Sequence, residues 1–193
     1  MTRKRSIPTR LALFALASLA ALGSLATVGA AAALEGTEPA TAPAQWHKQT
    51  LKFDYTGFTT LYTCDGLEGK VRQILLTFGA RNDAKVHATG CNYGPDRPSK
   101  FAWVTAEFSS LAPATDPAAA DVVKAGWSRV QLAPDRPSYM GAGECELVEQ
   151  IHDLLRKGFT LRNTEYRTSC TPHQVSIADY SVSTEVLKPI TAK

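Results

Sequence analysis

The chain carries WHKQTLKFDYTGFTTLYTC at residues 46–64 and WSRVQLAPDRPSYMGAGEC at residues 127–145. Each stretch begins with a tryptophan and ends with a cysteine, and the offset between them is 81 residues. The same offset superposes further identical pairs: Leu51 and Leu132, Asp54 and Asp135, Glu68 and Glu149, Phe78 and Phe159, Arg81 and Arg162, Asn82 and Asn163. Self-similarity at a fixed offset indicates repeated structural units. The sequence therefore predicts two copies of one unit.

The four cysteines follow the same duplication. Cys64 superposes on Cys145, and a two-residue deletion then lets Cys91 meet Cys170. An even number of cysteines in an exported chain favours disulfides, whereas a zinc site is disfavoured because no C-x-x-C pair is present. Treating both copies alike predicts the bonds Cys64–Cys91 and Cys145–Cys170. Each would contribute about 3.5 kcal/mol in the chain-entropy model.

The N-terminal segment has the layout of a secretory signal peptide. Four basic residues and no acidic residue lie among the first ten, and an Ala/Leu-rich run follows from Leu11 to about Ala33. This pattern predicts a signal peptide over residues 1–33, with an A-x-A cleavage site formed by Ala31 and Ala33. An uncleaved membrane anchor is the alternative, because the run is just long enough to span a bilayer. The Ala and Gly content makes it a poor span, so we expect a periplasmic or secreted protein without a stable membrane anchor.

The apparent basic charge of the chain belongs to that segment. The full sequence has 21 basic and 18 acidic residues, for a formal net charge of +3. Without residues 1–33, which contain four basic residues and no acidic one, 17 basic residues face 18 acidic ones and the net charge is −1. A nearly neutral chain gives no electrostatic reason to expect a nucleic-acid partner or an anionic membrane surface.

Hydrophobic periodicity predicts the same order of elements in both copies. The first helix is expected to carry the apolar stripe from Leu67 to Phe78, with Asp65 as its cap and Gly79 at its end, and the second helix to start near Cys145. The expected strands cover residues 47–55, 85–89 and 100–108 in the first copy, and residues 128–133 and 160–168 and part of 175–187 in the second.

These elements predict an α+β fold made of two tandem β-α-β-β repeats. Each repeat would place one helix on a small antiparallel-rich sheet and would be stapled by a disulfide. Whether the strands form one sheet or two is left open. The predicted organisation is a signal peptide (1–33), a flexible lead-in (34–45), the first repeat (46–110), a linker (111–126) and the second repeat (127–190).

A search for catalytic chemistry finds little. The sequence has no G-x-S-x-G, no H-E-x-x-H and no phosphate-binding glycine loop. The nearest metal-like motif is Glu149 with His152, but the first repeat has Val71 at the position of His152. A packed or half-exposed histidine is the preferred interpretation. We therefore predict no catalytic residue, no metal site and no cofactor.

Two repeated or paired features are candidates for ligand binding. Arg81 and Arg162, each followed by asparagine, suit the turn after a helix, yet two guanidinium groups can also bind a carboxylate or phosphate. His87 and His173 lie four residues before Cys91 and three after Cys170, respectively. If the repeats are symmetric, these histidines lie near equivalent strand ends; solvated strand-end residues are the alternative.

The positions of the three tryptophans in the two repeats indicate whether each lies in the core or on the surface. Trp46 and Trp127 open equivalent strands, and repeated tryptophans in small units are usually core anchors. Trp103 has no counterpart and fits either the core or an exposed contact surface.

The stretch YTCDGLEGKVRQILLTFGARNDAKVHATGC, residues 62–91, resembles a family of small exported bacterial proteins of uncharacterised function. The resemblance implies export and a shared architecture, and no catalytic residue follows from it. We expect an exported, non-enzymatic binding or interaction protein whose ligand is an envelope protein or a cell-wall component. One alternative is a periplasmic inhibitor or immunity-type protein that presents the loop NYGPDRPS (92–99). Another is a hydrolase or metal-dependent enzyme with a site between the repeats.

Overall fold

Eight strands and two helices are present in this computed structural model, which describes residues 41–94, 97–171, 173–175 and 179–190. The predicted signal peptide and residues 34–40 of the lead-in lie outside the described residues. All described elements belong to one unit, Glu38–Lys193. In order, they are β1 (Thr41–Thr56), α1 (Cys64–Thr77), β2 (Lys85–Thr89), β3 (Asn92–Gly94), β4 (Arg97–Pro98), β5 (Phe101–Pro113), β6 (Val123–Leu132), α2 (Cys145–Gly158), β7 (Leu161–Thr168) and β8 (Tyr180–Pro189).

Six of the strands form one antiparallel sheet in the order β2-β5-β1-β6-β8-β7, while β3 and β4 form a separate small hairpin. The sheet thus has one half made of β2, β5 and β1 and another made of β6, β8 and β7. The halves meet where Thr41–Ala44 of β1 pair with Val123–Gly126 of β6. This seam is four residue pairs long, whereas β1 pairs with β5 along thirteen.

The strands are longer than the sequence predicted. Residues 41–45, expected to belong to a flexible lead-in, are the first part of β1 because the seam and β5 pair with them. The expected linker over 111–126 shortens to residues 114–122, since β5 continues to Pro113 and β6 begins at Val123. Proline, alanine and threonine in these segments indicated flexibility, but long-range pairing overrides that local preference.

Helix α1 is capped two residues earlier than expected. Thr63, not Asp65, is the N-cap, and its Oγ1 accepts a hydrogen bond from the N–H of Gly66 at 3.2 Å. Asp65 lies in the first turn, where its negative charge still favours the helix dipole. The helix ends as predicted, with Gly79 in the left-handed region (φ +91°) just after the cap at Phe78.

The main core lies between the two helices and one face of the sheet. Phe78 and Phe159 follow the ends of α1 and α2, and their ring centroids are 5.7 Å apart. Phe159 also stacks on Phe108 of β5 at 5.2 Å. The apolar faces of both helices are buried against this centre: Leu67, Val71, Ile74 and Leu75 from α1, and Leu147, Val148, Ile151, Leu154 and Leu155 from α2.

A second, smaller apolar cluster lies at the seam. It contains Ala44, Leu111, Ala125 and Leu187, with half-buried Trp46 and Trp127 packed against it. The sequence analysis expected these two tryptophans in the core, and they occupy this side cluster instead of the main one. The reason is the strand register: Trp46 pairs with Leu111 and Trp127 with Leu187, on residues that alternate away from the helices.

The structure contains both disulfides with the predicted pairing, Cys64–Cys91 and Cys145–Cys170, and none of the four described cysteines is free. Each bond ties the start of a helix to the end of the next strand. Such disulfides indicate an oxidising, extracytoplasmic environment. Within the described ranges, neither helix has the length and apolar character that a bilayer span requires.

Candidate functional site

Arg81, one of the two candidate anion-binding arginines, lies in the turn after α1. Its backbone N–H donates to the carbonyl of Ser109 at 2.9 Å, and its guanidinium pairs with Asp83. Hydrogen bonds from Arg81 lower the pKa of the Asp83 carboxyl because they favour its charged form. The guanidinium also lies 6.0 Å from the ring centroid of Trp46. An external anion would therefore compete with a carboxylate of the same chain.

Arg162, the second candidate, lies on β7 in the other half of the sheet. Its Nε donates to Glu185 Oε2 at 2.5 Å, and its guanidinium lies 4.2 Å from the ring centroid of Trp127. The hydrogen bond from Arg162 lowers the pKa of the Glu185 carboxyl. Arg81 and Arg162 thus contact different strands, and each already holds an internal carboxylate and an aromatic ring.

A groove of about 270 Å³ beside Arg81 has a mixed charge. Three cationic side chains, Lys48, Arg81 and Lys85, line it together with Asp83 and Glu107. The excess of one positive charge is compatible with an anionic group, but two carboxylates among five charged residues reduce the attraction.

The candidate histidines contact different elements. His87 is 76% exposed, and its Nδ1 lies 3.3 Å from Glu68 Oε1 on α1. His173 lies beyond the second disulfide and packs edge-on against Phe58, with the ring centroids 5.1 Å apart. The described contacts place one histidine beside α1 and the other beside the loop after β1, so they do not form a common cluster.

Among the described residues, one group has potential metal-ligand atoms within 4.8 Å of one another: Cys145, Glu149 and Cys170. Both sulfurs are in the disulfide, so neither is a thiolate donor. Glu149 accepts a hydrogen bond from Thr168 Oγ1 at 2.7 Å. His152, the other member of the E-x-x-H motif, stacks on Tyr166 with centroids 4.1 Å apart, and burial lowers its pKa. The motif residues therefore have separate structural contacts.

Two buried carboxylates that sequence reasoning missed lie at the start of α2. Glu144 accepts from the Tyr62 hydroxyl at 2.8 Å and from Lys70 Nζ at 2.6 Å. Burial, together with the charge of Glu144, raises the pKa of the Tyr62 hydroxyl. Glu146 Oε2 accepts from the backbone N–H groups of Phe58 and Thr59 at 2.8 and 2.9 Å, while its buried Oε1 has no hydrogen-bond partner.

These carboxylates tie the loop after β1 to the second helix. A cavity of about 100 Å³ beside Glu146 is also lined by Glu149 and His173, with Phe58 and Gln150 among its walls. It brings polar side chains of both halves together. In sequence, acidic residues in the first turn of a helix are ordinary, so nothing local distinguished them from surface residues.

Three exposed aromatic side chains lie in the β3–β4 hairpin and at the start of β5. Tyr93, Phe101 and Trp103 expose 74%, 49% and 61% of their surface, and we refer to these three residues as the aromatic surface. Trp103 lies between Thr89 of β2 and Asp54 of β1. Of the two positions that the sequence allowed for Trp103, the structure has the exposed one.

Gly90 is required for the position of Trp103. Its φ is +76°, and an added Cβ would lie 2.6 Å from the Trp103 ring. The next residue, Cys91, is disulfide-bonded, and its carbonyl accepts from the N–H of Ser99 at the other end of the hairpin. The base of the hairpin is therefore fixed on both sides, next to Trp103 and Phe101.

Searches of family models, curated proteins and solved structures found no match to this chain. No family model therefore supports the resemblance of residues 62–91 to an exported family.

Proposed function

We propose that the protein is an exported, non-enzymatic binding protein that recognises a protein partner of the bacterial envelope through the aromatic surface. The observation that carries this proposal is the exposure of Tyr93, Phe101 and Trp103 at one end of the sheet. Tryptophan and tyrosine are enriched among the residues that dominate protein–protein binding energies. Neighbouring exposed apolar side chains mark interaction sites more often than scattered ones do.

The fixed hairpin base supports the same proposal. Binding costs less when the contact residues are ordered beforehand. The Cys64–Cys91 bond and the hydrogen bond between Ser99 and Cys91 order the ends of the hairpin. The exposed cations Arg97 and Lys100 flank the aromatic surface and suit a partner with acidic residues around an apolar centre.

We further propose that the chain is exported by a signal peptide. A cleaved signal peptide over residues 1–33 would deliver the chain to the periplasm or the medium, where both disulfides form. We also propose that the halves arose by duplication of a β-α-β-β unit. The order of elements in each half and the equivalent pairs Trp46–Leu111 and Trp127–Leu187 support that origin.

A specific observation favours a second candidate, the inhibitor or immunity-type protein. The β3–β4 hairpin presents exposed Tyr93 and Arg97 on a base held by a disulfide. A pre-ordered loop of this kind fits into the cleft of an enzyme or toxin. This candidate predicts a stoichiometric, slowly dissociating complex that inactivates its partner.

The proposal is tested by affinity capture from envelope extract followed by titration of the purified partner. We expect Trp103→Ala to weaken binding at least about tenfold, because an interface hot spot contributes 2 kcal/mol or more. The matched control is Val175→Ser, since Val175 is also apolar and is 78% exposed, but lies after the second disulfide.

Equal binding by wild type and Trp103→Ala would contradict the proposal. Binding to isolated cell-wall polysaccharide, with no protein partner captured, would also contradict it and would favour the cell-wall ligand. Loss of an enzymatic or toxic activity of the captured partner would identify the inhibitor-type protein.

A further inference from the structure

Strand β1 has an open edge along most of its length. Its pairing with β6 covers Thr41–Ala44, although the strand continues to Thr56 and pairs with β5 up to that point. The strands β1 and β6 overlap only at their N-terminal ends and then run in opposite directions. The edge of β1 from residue 45 to residue 56 therefore has no neighbouring strand within the described residues.

The backbone groups that face this edge follow from the strand geometry. The Pro43 carbonyl accepts from Ala114, and the Gly57 N–H donates to the Lys100 carbonyl, so odd-numbered residues bond on the β5 side. In an antiparallel ladder, successive residues direct their N–H and C=O groups to opposite sides. Thr50, Lys52 and Asp54 therefore direct theirs to the open edge; the described contacts include no partner for them there.

One side chain already occupies the end of this edge as a strand would. The N–H of Thr56 donates to Gln150 Oε1 at 2.6 Å, and the Gln150 amide donates to the Thr56 carbonyl at 2.8 Å. An amide that both donates and accepts at one residue reproduces the paired contacts of an antiparallel neighbour. Gln150 of α2 thus marks where an added antiparallel strand would begin.

A groove of about 330 Å³ adjoins the edge, between β1 and α2. Its apolar lining comes from Leu51, Phe53 and Leu154, and its polar lining from both elements. The polar lining residues are Lys52, Asp54, Gln150, Asp153 and Lys157. The groove has unpaired backbone on one wall and a helix on the other, an arrangement that suits β-strand addition.

We infer that this groove binds an extended segment of a partner protein, which adds to β1 as an antiparallel strand. The antiparallel direction follows the two existing neighbours of β1. The inference does not depend on the aromatic surface, because it rests on backbone groups at the edge of β1 that faces away from β5.

The charges of the groove define the segment it accepts. Helix α2 runs beside β1, with Gln150 near Thr56 and the Gly158 carbonyl bonded to Gln49. The acidic residues Asp54 and Asp153 therefore lie toward the Thr56 end, and the basic residues Lys52 and Lys157 toward the Gln49 end.

An antiparallel segment passes the acidic end of the groove first. Its residue opposite Asp54 is basic, and its residue opposite Lys52 is acidic. The residue between them lies opposite Phe53, with its side chain over the apolar lining. The preferred motif is thus a basic, an apolar and an acidic residue, in that order.

Fluorescence anisotropy with the labelled peptide GSKVESG and the disulfide-intact protein tests this inference. We expect saturable binding that is weakened at least about fivefold by N-methylation of the glutamate, since that N–H points to Lys52 and contributes about one hydrogen bond. N-methylation of the valine, whose N–H points away from β1, should leave the affinity within about twofold. The charge-reversed peptide GSEVKSG has the same composition and should bind more weakly.

Two variants assign the binding to the edge itself. Lys52→Pro removes an N–H that faces the groove without removing a bond to β5, and it should abolish binding. The double variant Lys52→Glu with Asp54→Lys should reverse the preference toward GSEVKSG, which a merely destabilised protein would not do. Val175→Ser is the control that should leave peptide binding intact, because Val175 is 78% exposed and does not line the groove.

Equal affinity for both peptides and their N-methylated forms would overturn the inference. A concentration-dependent dimer that Lys52→Pro dissociates, with no peptide binding, would also overturn it and would assign the edge to a second copy of the chain. Failure of the aromatic-surface proposal leaves these peptide results unchanged, so the two proposals fail separately.

Discussion

The two halves of the sheet share an order of elements but differ in the length of their central ladders. Counted from the pair Trp46–Leu111, the β1–β5 ladder continues for ten pairs, to Thr56–Phe101. From the corresponding pair Trp127–Leu187, the β6–β8 ladder continues for five, to Leu132–Val182. The central ladder of the half that contains β1 and β5 is therefore five residue pairs longer.

Proline explains where the shorter ladder stops. Leu132 is followed by a loop with Pro134 and Pro137, and proline has no N–H to donate to a ladder. In the first half, Phe53 to Thr56 continue the strand with N–H groups throughout. The aromatic surface and the open edge both lie in or beside this extension. The shared part of the halves is thus the scaffold, and the proposed binding features lie in the part they do not share.

The largest expected effect tests the shared core. Phe78→Ala should destabilise the protein by about 3–5 kcal/mol, because Phe78 is fully buried between the helices. Phe159→Ala should cost less within that range, since Phe159 retains 8% exposure. Urea denaturation followed by tryptophan fluorescence measures both. A larger destabilisation by Phe159→Ala than by Phe78→Ala would show that the second half, not the first, carries more of the core.

The disulfides provide the next largest effect. Replacing either pair by alanine should remove about 3 kcal/mol and lower the Tm by roughly 6–12 °C, because the closed loops are of similar length. The functional result should differ between the halves. Only loss of Cys64–Cys91, which holds the hairpin, should weaken partner binding; equal loss of binding for both pairs would remove this distinction.

A smaller effect distinguishes the two arginines. Arg162 is 27% exposed beside Trp127 and Glu185, whereas Arg81 is 52% exposed. Arg162→Ala should lower the Tm by a few degrees, and Arg81→Ala should leave it within error, because exposed ion pairs contribute little. Differential scanning calorimetry of both variants at low and high salt provides the comparison. A larger loss for Arg81→Ala would contradict it.

The smallest effect is the pH dependence that we expect from His152 in the second half. Burial lowers the pKa of His152 below its ordinary value of 6.5, with Arg156 acting in the same direction and Asp153 opposing it. The unfolded chain then binds a proton more readily than the folded one, so stability falls as pH drops through 6.5 toward the lowered pKa. His152→Val, which introduces the residue of the first repeat, should flatten that part of the stability profile. An unchanged pH profile would show that other groups cause the dependence.

The sequence predicted the elements whose signals are local or repeated. Both helices and the disulfide pairing followed from the 81-residue offset and from helical periodicity, since these patterns survive without knowledge of distant contacts. The seam did not follow, because four residue pairs between Thr41–Ala44 and β6 leave no periodic trace. Buried Glu144 was missed for the same reason, as its partners lie some 80 residues away.

The face of β5 shows a different limit. Alternation predicted a strand but not which of its faces is buried. Hydrophobicity alone would favour burial of the face that carries Phe101 and Trp103. The structure buries Ala102, Val104 and Ala106 instead. Small side chains let a helix approach the sheet closely, so packing geometry outweighs side-chain hydrophobicity at these positions.

The bond between Cys64 and Cys91 has a consequence for timing. A thiol pair remains reduced in the cytoplasm and is oxidised only after the chain leaves it. Until then, the base of the hairpin is held only by the hydrogen bond between Ser99 and Cys91. If the aromatic surface binds a partner as we propose, the oxidising compartment completes that surface, and the newly made chain becomes competent to bind only there.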